Sequence, residues 1–195
     1  MLKIHLRDIN NEITSAWELV FAGLPDVQVS CGNILERPAD AIVSPANSFG
    51  FMDGGIDAAF VGYFGAALED SLRAVINEQH YGELPVGQAI VHSTQHANIP
   101  FLVCAPTMRV PGEISDTVNV YLAFRAALIA VTSHNRKGAS IRTLLVPGMG
   151  TGIGQVPVGR AARQMRHAYD TVVGHGSCAA PNGRQILRRH HDLLT

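Results

Sequence analysis

The segment AIVSPANSFGFMDGGIDAAFVG, Ala41 to Gly62, carries the first decision about this chain. Ala41, Ile42 and Val43 read as a short buried strand, residues 44–56 as a polar, glycine-containing loop, and the pattern from about Asp57 onward as a helix. A strand end, an open loop and a helix start at one point leave backbone N–H groups without partners, and the helix dipole adds positive potential there. Such a place suits an anion. Gly54 and Gly55 permit positive φ and close approach of a ligand to the backbone. Asn47 and Asp57 flank the glycines, ten positions apart, so an amide and a carboxylate can grip a sugar while the loop grips a phosphate. Each residue alone fits a plainer reading: Asn47 as a turn residue, Asp57 as a helix cap.

Outward from this segment, strands and helices alternate. Leu2, Ile4 and Leu6 alternate with polar residues, as in a strand with one wet face. Asn10 or Asn11 caps a helix carrying Ile13, Trp17, Val20 and Phe21, and Val27, Val29 and Cys31 form the next strand. Leu68, Leu72, Val75 and Ile76 make a helical stripe between Gly65 and Asn77. Further strands are expected at Gln88–His92, Phe101–Ala105 and Thr143–Val146. Ser115 or Asp116 is expected to cap a helix with Tyr121, Phe124, Leu128 and Val131 facing inward. Pro157 opens another helix, running to about Val172. The tail from Gly174 reads as a loop and a last helix with Ile186, Leu187, Leu193 and Leu194 as apolar contacts. This alternation predicts a layered α/β fold with helices on both faces of the sheet, and residues 1–195 are expected to form one domain.

Between the Thr143–Val146 strand and the helix after Pro157 lies a second glycine loop, Val146-Pro147-Gly148-Met149-Gly150-Thr151-Gly152-Ile153-Gly154. Alternating glycines there expose successive N–H groups toward a diphosphate, or simply make a tight turn. No Gly-Lys-Ser/Thr comes after it, so it is not a P-loop, and it comes too late in the chain for a first Rossmann turn.

The chain has 195 residues, 47% apolar and 16% charged, which excludes a disordered polymer. The net charge is −1, with arginines scattered, so neither general nucleic-acid binding nor attraction to acidic membranes is expected. Any anion must be held by local donors. Cys31, Cys104 and Cys178 are widely spaced without a CxxC pair, which suits reduced thiols and no disulfide. With no signal-peptide core at the N-terminus and no membrane-length apolar run, a cytoplasmic location is expected. Nine histidines raise the question of a metal. However, His92 and His96 straddle a strand end and His190-His191 lie in a basic tail, so no metal site is expected. Ser44 and Ser48 lack the G-x-S-x-G setting of a hydrolase nucleophile.

The two loops resemble those of the macrodomain family, the ADP-ribose-binding modules. The family's Asn-Ala-Ala-Asn and Gly-Gly-Val-Asp appear here as Ser44-Pro45-Ala46-Asn47 and Gly54-Gly55-Ile56-Asp57. The second loop is similar to the family's Pro-x-x-Gly-Thr-Gly-Ile, and Gly32-Asn33-Ile34 stands where the family has Gly-Asp-Ile. The resemblance runs from about residue 27 to 170. It implies a three-layer α/β/α macrodomain-like fold with a mixed central sheet. It also implies a site for ADP-ribose, or a mono-ADP-ribosylated protein or small molecule, without a cofactor. On that reading Asn33 and Ile34 meet the adenine end. Ala46, Gly54, Gly55 and Ile56, with Gly148, Gly150, Thr151, Gly152, Ile153 and Gly154, embrace the diphosphate. Asn47 holds the distal ribose, and Asp57 orients or activates water at the anomeric carbon, as in the hydrolytic mono-ADP-ribose branch. The alternatives are a non-catalytic reader of ADP-ribose or of an NAD-derived nucleotide and, more weakly, a phosphatase acting on ADP-ribose 1″-phosphate. Gly154 replaces an aromatic common among relatives, and Phe49 or Phe51 is the expected substitute cover. Relatives also place a further strand after the second-loop helix, for which no apolar run is found here; the strand and helix at residues 2–22 are the expected replacement.

Overall fold

The computed structural model describes residues 2–138, 140–174 and 182–195. Cys178 and most of the loop expected after Gly174 lie outside the described residues. Six strands form one mixed sheet: β1 (Lys3–Asp8), β2 (Val27–Cys31), β3 (Ala41–Ser44), β4 (Ile90–Ser93), β5 (Phe101–Cys104) and β6 (Thr143–Val146). Their order is β2-β1-β6-β3-β5-β4, with every neighbour parallel except β4, which runs antiparallel to β5. Six helices complete the element order: α1 (Asn11–Val20), α2 (Gly55–Phe64), α3 (Ala67–Gln79), α4 (Asn119–Arg136), α5 (Val158–Val172) and α6 (Gly183–Leu194).

Side chains alternate between two faces of the sheet, and each face has its own core. Ile4, Leu6, Leu144 and Val146 pack with Trp17 of α1, Phe124 and Leu128 of α4, and Met165 of α5. Ile42, Leu102 and Leu145 point the other way, onto Phe60 of α2 and Leu68, Leu72 and Ile76 of α3. Layers of helix, sheet and helix result, because a sheet buried on both faces needs a partner on each. The N-terminal strand–helix unit takes an interior place: β1 lies between β2 and β6, parallel to both, and α1 packs against α5.

Local expectations met three exceptions. Asn10 caps α1, accepting from the Glu12 amide at 2.8 Å. Helix α4, in contrast, begins at Asn119 and not at Ser115 or Asp116. The Ser115 hydroxyl is bonded to Glu113, and Thr117 folds back onto the Ile114 carbonyl at 2.8 Å, so the chain turns before it can coil. Phe21, expected within α1, lies just past its end as the C-terminal cap and is buried against Tyr169. In α6 only Leu193 is buried; Ile186 and Leu187 are 53% and 62% exposed, because the helix docks on α5 through its last turn. No helix among the described residues is long and apolar enough to cross a membrane.

The join between β1 and β2 is made by an arginine. The Arg7 side chain is 8% exposed and donates from Nε to the Asn33 carbonyl (2.9 Å), from Nη1 to Ser30 Oγ (2.7 Å) and the Cys31 carbonyl (3.1 Å), and from Nη2 to Glu36 (3.2 Å). Gly32, at φ +138°, makes room for it: a Cβ there would lie 2.2 Å from Arg7 Nη2. Arg7→Met removes four hydrogen bonds from a nearly buried guanidinium while water can reach most of the acceptors, so a loss of about 1–2 kcal/mol is expected from the urea unfolding midpoint. Gly32→Ala should lose a comparable amount, since the guanidinium must move.

Candidate functional site

Parallel pairing of β3 with β6, through Ala41 with Leu144 and Ile42 with Leu145, sends the two glycine loops out of the same edge of the sheet. Between them lies a cleft of about 360 Å³. From the first loop it is lined by Ala46, Asn47, Phe51, Asp53, Gly54, Gly55, Ile56 and Asp57; from the second by Gly148, Gly150, Thr151, Gly152, Ile153 and Gly154. A ligand outside the carboxyl ends of parallel strands is the general arrangement for open α/β sheets.

The first loop is laced to the segment after β5. Ala105 donates to Ser44, Thr107 to Ala46 and Ser48 to Met108, all through the backbone. Asn47 braces its own loop: Oδ1 accepts from the amides of Phe49 (3.1 Å) and Phe51 (3.3 Å), while Nδ2 donates to the Phe51 carbonyl (2.7 Å). That leaves one amide N–H for a ligand. Gly54 is the N-cap of α2 and offers no side chain, so the first-turn amides of Gly55, Ile56 and Asp57 remain open toward the cleft.

Asp57 does not cap the helix. It sits inside the first turn, 7% exposed, and accepts from Ser44 Oγ at 2.6 Å. Burial pushes its carboxyl up from 3.8 to about 6; the Ser44 hydroxyl opposes this, and Glu69 adds a small push in the same direction as burial.

The second loop is anchored by Asp8 at the end of β1, whose Oδ2 accepts from the Gly148 amide at 2.9 Å and whose Oδ1 accepts from Asn10. Gly154 is required by packing: a Cβ would lie 2.6 Å from the Gly150 carbonyl oxygen and 2.8 Å from Ile114. An aromatic has no room there. Of the two phenylalanines proposed as cover, Phe51 lines the cleft, with the Arg73 guanidinium 4.1 Å above its ring; Phe49 is turned to Arg109. Among the described residues the lining contains Asp8, Asp53 and Asp57 but no lysine, arginine or histidine. An anion here must be held by backbone amides and a helix end.

The Macro domain family model matches residues 43–165. The chain belongs to the macrodomain family. A protein of Aquifex aeolicus (strain VF5) is 35% identical over 140 residues, covering 72% of this macrodomain and 78% of that protein. An O-acetyl-ADP-ribose deacetylase of Salmonella gallinarum (strain 287/91) is 27% identical over 138 residues, 70% and 73% of the two chains. A mutant Oceanobacillus iheyensis macrodomain solved with ADPR shares the fold, with a TM-score of 0.62, 20% identity, and coverage of 75% and 77%.

Two residues the sequence assigned to the ligand stand apart from the cleft. Asn33 is exposed and its Oδ1 accepts from the Leu35 amide at 3.0 Å, capping a single 3-10 turn, while Ile34 is buried beneath α2 and α3. Asp8, Asn10 and Ile13 line this macrodomain's cleft and were missed. The available signal was an acid at the carboxyl end of a strand, two residues before a helix cap. Elsewhere, His92 Nε2 bonds Ser71 Oγ at 2.8 Å and His96 packs on Tyr63 and Phe64. Among the described residues no group of three His, Cys, Asp or Glu could hold a metal.

A carboxyl raised in the folded state opposes folding as pH climbs through the interval from 3.8 to about 6. Above that interval the ionised, buried Asp57 costs up to about 3 kcal/mol. Asp57→Asn, which keeps an acceptor for Ser44, is therefore expected to raise the urea midpoint at pH 8, with the gain vanishing near pH 4.

Proposed function

We propose that this macrodomain binds ADP-ribose in the cleft and hydrolyses mono-ADP-ribosyl linkages, on protein or on a small O-acyl ester, with Asp57 as the water-activating base. The observation that carries the reading is the buried Asp57 carboxylate, held by Ser44 at the amide-rich end of α2, facing the glycine loop across the cleft. Electrostatics assigns the ends. A phosphate within 4 Å of a carboxylate costs about 1–4 kcal/mol at surface dielectrics, so the diphosphate belongs against the amides of Gly55–Ile56 and Gly150–Ile153, and the uncharged sugar against Asp57. Water then attacks the anomeric carbon: its oxygen bonds to that carbon, the bond to the acceptor oxygen breaks, the acceptor leaves with the electron pair, and the water proton passes to Asp57. Developing oxocarbenium charge is stabilised by the same carboxylate. The name of the Salmonella relative, a deacetylase of O-acetyl-ADP-ribose, supports an ADP-ribose derivative as the substrate.

A reader without turnover is the second reading. It draws on Asn47, whose side chain is mostly committed to its own loop, and on a cleft with no cationic side chain among the described residues.

Calorimetric titration with ADP-ribose, with ADP and NAD as comparators, is expected to give saturable binding. On a mono-ADP-ribosylated protein, Asp57→Asn should lower kcat at least about 100-fold while changing ADP-ribose affinity less than about threefold. Wild-type protein that binds but shows no turnover would leave the reader.

Since the carboxylate is the active form, kcat/KM should rise with pH through an apparent value near 6. Ser44→Ala removes the bond that favours the ionised form, so this acid limb is expected to move to higher pH. An unmoved limb would place the titration elsewhere.

A further inference from the structure

The two sheet faces are unequally covered. The core beneath α2 and α3 contains Ile42, Leu102 and Leu145 but, among the described residues, nothing from β1 or β2. On that side, where the strands begin, lies a groove of about 600 Å³, lined by Lys3 and His5 of β1, Asp26 and Gln28 at β2, Arg37 from the crossing to β3, and Thr143 of β6. Register places His5 directly between Gln28 and Leu145. The groove is separated from the cleft by the length of β1, about 17 Å for Lys3 to Asp8.

Its two cationic side chains are not paired. Neither Lys3 nor Arg37 has a side-chain ion pair or hydrogen bond among the described residues. The acid of the groove, Asp26, accepts from the Tyr169 hydroxyl at 2.6 Å, and the nearby Glu36 is paired with Arg7. His5 Nε2 is bonded to Ser30 Oγ at 2.7 Å, which leaves Nδ1 for another partner. Burial lowers the His5 pKa, and Arg7 and then Arg37 lower it further, so the positive field reaches the ring. In a chain of net charge −1, a concave surface with two unpaired cations against one acid, with an imidazole and an amide beside them, suits an anion rich in acceptors.

We propose that this groove is a second binding site, for a phosphate group of a small molecule, held by Lys3 and Arg37 with His5 and Gln28 as hydrogen-bond partners, and separate from the cleft at the other end of the strands. Around His5, Ser30 is its hydrogen-bond partner, Arg7 and Arg37 act on its charge, Lys3 and Asp26 line the same groove, and Glu36 is paired with Arg7. A bound phosphate favours the imidazolium, so affinity rises as pH falls through the titration of His5.

The probe is pyrophosphate, titrated at constant ionic strength into protein saturated with ADP-ribose and into protein without it, read on the His5 ring resonances by NMR. The expected result is a saturable shift in both samples, an upward move of the His5 pKa on binding, and at least tenfold weaker binding in Lys3→Ala/Arg37→Ala. That variant should bind ADP-ribose as the wild type does, measured by calorimetry on the same samples. A shift that never saturates overturns the site, as does one unchanged in the double variant. A shift abolished by ADP-ribose overturns its separateness from the cleft. If ADP-ribose does not bind at all, the sample without it still decides the groove, so the two readings fail independently.

Discussion

One pairing governs the molecule: β3 beside β6, both running the same way. Parallel neighbours deliver their outgoing loops to one edge, so two segments about a hundred positions apart in sequence line one cleft. Everything at the cleft inherits from this. The first loop is stiffened by backbone bonds to the strand on its other side, and the second is pinned by Asp8 from β1. Apart from Asn47, which braces the first loop from within, these anchors come from outside the loops, and the first-turn amides of α2 stay open.

The cleft resolves an electrostatic conflict by geometry. Three carboxylates border a place suited to anions, and no cationic side chain offsets them among the described residues. Such a site works only if negative charge on the ligand is kept at the amide-rich part and hydroxyls at the acidic part. The same separation accounts for burying Asp57: withdrawn from water and tied to Ser44, it keeps one strong partner and a raised proton affinity. Chemistry that draws a proton from water benefits from a base near neutrality.

Much of this was legible in the letters. The strands at 41–43, 101–105 and 143–146 read correctly because buried parallel strands are short apolar runs, here each followed within two residues by proline. The two loops announced themselves by glycine spacing, and the structure lines one cleft with both. What local patterns left out had physical causes. The Asn33 motif lies close in sequence to a strand end, but its side chain caps a turn and its own carbonyl is occupied by Arg7, a long-range contact no local pattern contains. The anchoring role of Asp8 lies outside any local pattern for the mirror reason: its partner, Gly148, is 140 positions away. The cap expected at Ser115 lost to a competing bond from its own side chain to Glu113.

The interior place of β1 has a kinetic meaning. Lys3 pairs with Thr143, so β1 waits for about 140 following residues to be made before its second edge is satisfied. Closing a loop of that size costs about 4 kcal/mol in chain entropy, which only the completed sheet returns. Until then β1 and β2 can pair locally as a ribbon with one edge bare, and a bare parallel edge is what another nascent copy can add to. Late closure by β6 thus couples the arrival of the second glycine loop to the moment the sheet becomes whole.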